Sequence, residues 1–315
     1  MGIASAHHAP RPHPIAISSR EYSLQVEVHI VNAFVDGDAG GNPAGVVVDA
    51  NGLTAEQKLR IARDVGLSET AFVSSSAQAT LKLEFFTPSR QIAHCGHATV
   101  ATFSLLRQLG LLAEGKHSKE TVDGCRDVVI AADQAFMAQR APTYAPLAAG
   151  SAMRDRALHS LGLAPGQLLD TAPPTVVNTG NSFLVIGVRE EATLSQLRPD
   201  FSAVTAVSEA LDLIGYYVFT RTTKQPGRAA GARMFAPRYG IEEEAGTGMA
   251  AGPLACFLHD VLGVRPPHLM IEQGWLMQPP SPSVITVDLQ IRDGAISGLM
   301  AGGRAQAMRQ FRLMA

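Results

Sequence analysis

The chain has 315 residues, 46% of them apolar and 17% charged, with a formal net charge of −2. That length suits about two domains, and the composition excludes a wholly disordered chain. The near-neutral balance offers no basic surface for nucleic acid, and no apolar run reaches the ~18 to 20 residues of a membrane span.

Residues 1–24 hold His7, His8 and His13 among prolines, without periodicity. They read as a mobile leader rather than a metal-binding tract, and they lack the basic and apolar blocks of a secretory signal. From Val26 the stretch VEVHIVNAF alternates as a strand does, and 45–49 reads as a short buried strand. Thr54 and Gln57 form a capping-box pattern for a helix that presents Leu59, Ala62 and Val65 on one side and ends at Gly66. Strands are predicted over 70–74 and 81–86. The segment GHATVATFSLL is then apolar around nearly its whole circumference, as befits a helix inside a protein. The stretch 112–127 is polar and Gly-containing and 141–151 is rich in Pro, Ala and Gly; of the two, the second reads as the interdomain linker. Beyond it, helices are expected near 150–161 and 203–213. Strands are expected at 175–178, 183–188, 215–221, 232–236 and 284–291, and a second apolar helix over 248–262. Cys95, Cys125 and Cys256 are too few and too scattered for a disulfide framework or a zinc site. A reducing, cytoplasmic setting without a metal follows.

One pattern occurs twice. EFFTPSRQIAHCGHATVATFSLL in the first half parallels RMFAPRYGIEEEAGTGMAAGPLACFL in the second, with Gly96 and Gly246 standing 150 residues apart. Each copy is a strand end, a Phe-x-Pro turn, a loop, and a small-residue turn opening an apolar helix. Duplication predicts two similar domains, each a sheet around a buried helix. Helix N-termini carry unpaired N–H groups and a partial positive charge, so two of them facing one cleft suit a carboxylate and an enolate-like charge. No GxGxxG follows a strand and no P-loop motif occurs, which disfavours a nucleotide.

The segments VNAFVDGDAGGNPAGVVV, LSETAFV, EFFTPSRQIAHCGHATVAT and FAPRYGIEEEAGTGMAAGPLA resemble the phenazine-biosynthesis PhzF family, from about residue 26 to Gly302–Ala305. The resemblance implies an α+β fold of two pseudo-symmetric, diaminopimelate-epimerase-like domains, each a mixed curled sheet around a central helix. With the repeat, it suggests a leader over 1–24, an N-terminal domain over 25–145 completed by 300–315, and a C-terminal domain over 146–299. It implies a homodimer and a cofactor-independent isomerase acting on a small carboxylate-bearing metabolite. By the same resemblance Glu69 is the general acid/base, with a pKa expected to rise on desolvation. His97 and Glu244 assist it. Gly96, Ala98, Thr247, Gly248 and Met249 bind substrate, with the amides of Gly96–Ala98 and Thr247–Gly248 holding the anion. At a helix N-terminus His97 is expected neutral.

Cys95 leaves alternatives open. Related racemases place a catalytic cysteine here, but they need a second one opposite, and the matching position is Ala245. Three departures from the family bear on substrate. Glu244 replaces an aspartate, Met249 replaces a hydroxyl residue, and MQPPSPS over 277–283 lacks an arginine. The rival readings are therefore a binding protein that kept the cleft and lost the chemistry, and a cysteine-dependent racemase. Arg90, Arg233 and Arg238 are candidate carboxylate partners, and Asn178–Asn181 a candidate cleft wall.

Overall fold

The computed structural model describes residues 25–314; the leader expected over 1–24 lies outside the described residues. Its helices are α1 (Ala55–Val65), α2 (Gly96–Gln108), α3 (Ala152–His159), α4 (Glu191–Ser195), α5 (Phe201–Ala210) and α6 (Gly248–Asp260). The strands form one mixed, continuously paired sheet, so the class is α+β. No helix among the described residues is long and apolar enough to cross a membrane.

The pairings close on themselves once, and a second run of strands curls into an incomplete ring. One ring runs from Gln25–Ala33 through Asn42–Val47, Thr70–Ser74, Leu81–Phe86, Gly115–Thr121, Gly124–Ala131 and Gln134–Arg140. The long strand Ala295–Met314 then returns it to Gln25–Ala33, Ala33 facing Ala305 and Gln25 facing Met314. The other ring runs through Thr143–Pro146, Thr175–Asn178, Ser182–Gly187, Gly215–Thr220, Ala230–Ala236, His268–Gln273 and Ser283–Arg292. It reaches the opening half of the same long strand, which pairs on its other side with Gln134–Arg140.

Each ring encloses one helix. Gly96–Leu106 of α2 is buried throughout, and α2 touches strands from around the first ring. Helix α6 is buried over Ala250–His259 and touches strands of the second. Uniform apolarity makes this the only comfortable location for either helix. The amphipathic helices lie outside. Helix α1 places Ile61 and Ala62 against Phe72 and Phe86. Helices α3 and α5 place Ala157, Leu158, Val204 and Val207 on the outer face of the second ring. The capping box of α1 forms in both directions, and Gly66 closes the helix at φ 69°.

One expectation is corrected, and one polar segment proves regular. Within and beyond 112–127, Gly115–Thr121 and Gly124–Ala131 form a hairpin. Its alternation is masked because Lys119, fully buried, occupies an inward position that pattern reading assigns to an apolar residue. The stretch 141–151 is not plain linker, since Thr143–Pro146 pairs with Thr175–Asn178.

Candidate active site

The N-termini of α2 and α6 meet. A Cβ at Gly96 would lie 3.3 Å from Met249 Cγ, so the turn is small because the two helix ends abut. Glycine at 246 and 248 has a related cause. A Cβ at either would come within 3.1 Å of the Phe34 ring, itself buried at φ 62°. The small residues thus serve packing as well as any approach of a ligand to the backbone.

Beside this junction opens a cleft of about 950 Å³, lined by Glu69, His94, Cys95, His97, Asn181, Glu244, Thr247 and Met249 among others. Glu69 reaches it from the short link between α1 and strand Thr70–Ser74, held where its own carbonyl accepts from Gly45 N–H. Its side chain is buried, and Oε2 has no hydrogen-bond partner among the described residues. His97, in the first turn of α2, stands between two carboxylates: Nε2 lies 3.4 Å from Glu69 Oε2, and Nδ1 lies 3.0 Å from Glu244 Oε1.

Burial opposes a charge on His97 but is outweighed. The Cys95 sulfur against the ring, the bond to Glu244 and the nearby Glu69 hold the imidazole well above its ordinary value. That direction runs against the neutral imidazole expected from the helix terminus. Burial likewise works against ionised Glu244, and is overcome by His97 and by bonds from Thr247 and Asn42, leaving the carboxyl below its usual range. Burial, reinforced by Glu69, pushes the Cys95 thiol up despite His97 beside it.

Thr247 also departs from expectation. Its N–H donates to Gln273 Oε1 at 3.1 Å and its hydroxyl donates to Glu244, so it orients the carboxylate and has no amide free for an anion. The N–H groups of Gly96, His97, Gly248 and Met249 carry no bond to another described group. Ala98 N–H lies against the Cys95 sulfur. Met249 faces the cleft, its sulfur accepting from Asn181 Nδ2 at 3.5 Å.

Gln273 and Asn42 escape sequence reasoning as site residues. Gln273, fully buried, donates to Glu244 O at 2.6 Å and accepts from Tyr217 OH at 2.9 Å. Asn42 Nδ2 donates to Gly246 O at 2.8 Å, so the GNPA segment of the first ring pins the α6 turn. Of the arginines, Arg233 is absorbed by Glu243 at 2.7 and 2.8 Å and lies off the cleft. Arg238 lines the cleft while bound to Asp212. Arg90 lines it with an exposed side chain.

Comparison with known proteins agrees with this architecture. The model of the PhzC-PhzF family, described as phenazine biosynthesis-like protein, matches residues 31–309. An uncharacterized isomerase of Escherichia coli, YddE, is 33% identical over 251 residues, covering 76% of this chain and 82% of its own. The trans-2,3-dihydro-3-hydroxyanthranilate isomerase of Pseudomonas chlororaphis is 32% identical over 243 residues, covering 73% and 78%. The crystal structure of a Bacillus anthracis PhzF-family protein superposes with a TM-score of 0.83 at 28% identity, covering 93% of this chain and all of that one. Helix-in-ring architecture, the carboxylate–histidine–carboxylate cleft and these matches converge: the chain belongs to the PhzC-PhzF, phenazine biosynthesis-like, family of isomerase-like enzymes.

Proposed function

We propose that the protein is a cofactor-independent isomerase that moves a proton, and with it a double bond, within a small carboxylate-bearing metabolite. The observation that carries this reading is Glu69 Oε2, a buried carboxylate oxygen without a hydrogen-bond partner among the described residues, facing a cleft beside the His97 imidazole. Glu69 takes the proton from one substrate carbon and returns it to another on the same face. The electron pair left on carbon delocalises toward the substrate's carboxylate. Imidazolium His97 stabilises that charge, and Glu244 holds the ring by Nδ1. The free amides at the α2 and α6 N-termini receive the anion.

A one-base shift needs no group on the opposite face, which suits Ala245 opposite Cys95 and a thiol that burial keeps protonated. The kinship with an isomerase of a dihydro-hydroxyanthranilate supports an unsaturated cyclic acid as the substrate class. We further read the two rings as two domains, 25–145 completed by 300–315, and 146–299. The family resemblance and the three free cysteines support a homodimer in a reducing cytoplasm.

Deuterium wash-in from D2O, read by mass spectrometry over a panel of cyclic and aromatic acids, tests the reaction. Glu69→Gln should cut exchange by ~100-fold or more, the usual scale for loss of a general acid/base, with affinity changed only a few-fold. Near-native exchange in that variant would refute the mechanism.

A further inference from the structure

We infer that His94 is a specificity-determining residue of the cleft, presenting an Nε2–H donor to an uncharged oxygen that the substrate carries beyond its anchoring carboxylate, and that buried Lys119 is the positioning residue that fixes this tautomer. His94 precedes α2 by two residues and lines the same cleft as Glu69 and His97. Lys119 is fully buried and does not itself line the cleft. Its Nζ meets Thr99 Oγ1 at 2.5 Å, His94 Nδ1 at 3.1 Å and Met137 Sδ at 3.9 Å, and no carboxylate among the described residues. A buried lysine without an ion pair is costly to keep. Here its bonds lead to a residue of the cleft.

The Thr99 hydroxyl donates to Cys95 O at 2.6 Å, so its oxygen can only accept from Nζ. A second N–H of the lysine reaches His94 Nδ1. Nδ1 is then the acceptor, and the ring proton sits on Nε2. The ring is also fixed in place. It stands edge-on to Phe85, with centroids 6.3 Å apart and planes at 83°, and Nζ lies over the same Phe85 ring at 5.1 Å. With Nδ1 turned to the interior, Nε2 is the nitrogen left for the cleft. Burial, with the charges of Lys119 and Arg126 added, holds the imidazole well below its ordinary value. A neutral N–H donor suits a carbonyl, hydroxyl or ether oxygen. In the proposed reaction, on which this inference rests, the helix-terminal amides already serve the carboxylate. The substrate class narrows to cyclic acids that carry one further oxygen.

One arm of the test needs no ligand. Nitrogen NMR of the full-length protein with isotope-labelled histidine reads the His94 ring, identified by its loss in His94→Phe. It should show a protonated Nε2 and a bare Nδ1. Lys119→Met keeps the volume and removes Nζ, and it should mix the tautomers while circular dichroism stays native. A proton on Nδ1 in the wild type overturns the proposal. In the second arm, calorimetry compares each methoxybenzoate (ortho, meta and para) with the ethylbenzoate of the same shape, in which a methylene replaces the oxygen. Wild type should prefer at least one methoxy acid over its ethyl partner by about 3- to 10-fold, the scale of one neutral hydrogen bond. His94→Phe should abolish that preference and Lys119→Met should diminish it. His94→Gln, whose amide nitrogen can stand near the Nε2 position, should restore part of it. A preference that survives His94→Phe overturns the recognition, as does a wild type that shows none or binds no acid of the panel. Deuterium exchange separates this inference from the reading beneath it. A protein that exchanges substrate protons but ignores the oxygen loses the His94 role alone. One that prefers the oxygen through His94 but exchanges nothing keeps that role and loses the isomerase reading.

Discussion

His97 and its two carboxylate neighbours tie protein stability to pH. The folded-state pKa of His97 lies above the unfolded value of about 6.5. Its contribution is therefore complete below that value and fades as pH rises through the folded one. Glu244 runs the other way: its folded value lies below about 4.5, so its contribution is present above 4.5 and fades as pH falls through the folded value. The urea midpoint should be highest between these limits. His97→Gln should flatten the decline on the alkaline side, and an unchanged slope would count against a charged His97. Met249 sets a second test. Losing a hydroxyl at this position removes ~1 kcal/mol of net hydrogen bonding, whereas a thioether covered by a ligand contributes up to ~1.5–3 kcal/mol. The apolar effect dominates, so Met249→Ser should weaken a bulky aromatic acid by about 5- to 10-fold and favour a small hydroxylated cyclic acid, as measured by calorimetry. Glu69, His97 and Glu244 are legible in sequence because each sits in a motif. Gln273 is not, and Asn42, though inside the GNPA segment, gives no sign of its role, because their partners are backbone atoms of Glu244 and Gly246, remote in the chain. No local pattern encodes such a bond.

At the scale of elements, α2 and α6 are read from composition almost to the residue, since an all-round apolar helix has few places to go. Their seating is subtler. A Cβ on Gly252 of α6 would lie 2.3 Å from Gln139 Oε1 and 2.7 Å from Leu299 Cδ1. Gln139 has no room to retreat: its Nε2 donates to Gly248 O at 2.9 Å and its Oε1 accepts from the Thr179 hydroxyl at 2.7 Å. Gly252→Ala gains up to ~1 kcal/mol of helix propensity but meets overpacking of ~1–3 kcal/mol. Overpacking should win by about 1 kcal/mol in urea unfolding, while Gly110→Ala, in open space but at φ 73°, should lose through backbone strain alone. The hairpin Gly115–Ala131 is the element that composition hides. Its buried lysine bonds Thr99 Oγ1 and His94 Nδ1 inside the ring, a tertiary arrangement with no signature in the hairpin's own residues.

Across the whole molecule, the repeat at 150-residue spacing shows in the sequence, but ring closure does not. Closure depends on strand Ala295–Met314, twenty residues with Arg304, Arg309 and Arg312 interrupting any clean alternation. That strand borders both rings, with partners in Gln25–Ala33, Gln134–Arg140 and Ser283–Arg292. Its register against Gln25–Ala33 joins residues separated by nearly the entire described chain, the costliest kind of contact to form. During synthesis the first ring must therefore wait, open along one seam, until almost all of the second has left the ribosome. Release of each nascent chain should be followed by a late, concerted gain of protease resistance in both halves. Chains arrested before Ala295 should stay digestible in both. An early resistant fragment spanning 25–145 would show that the first ring holds without its final stave.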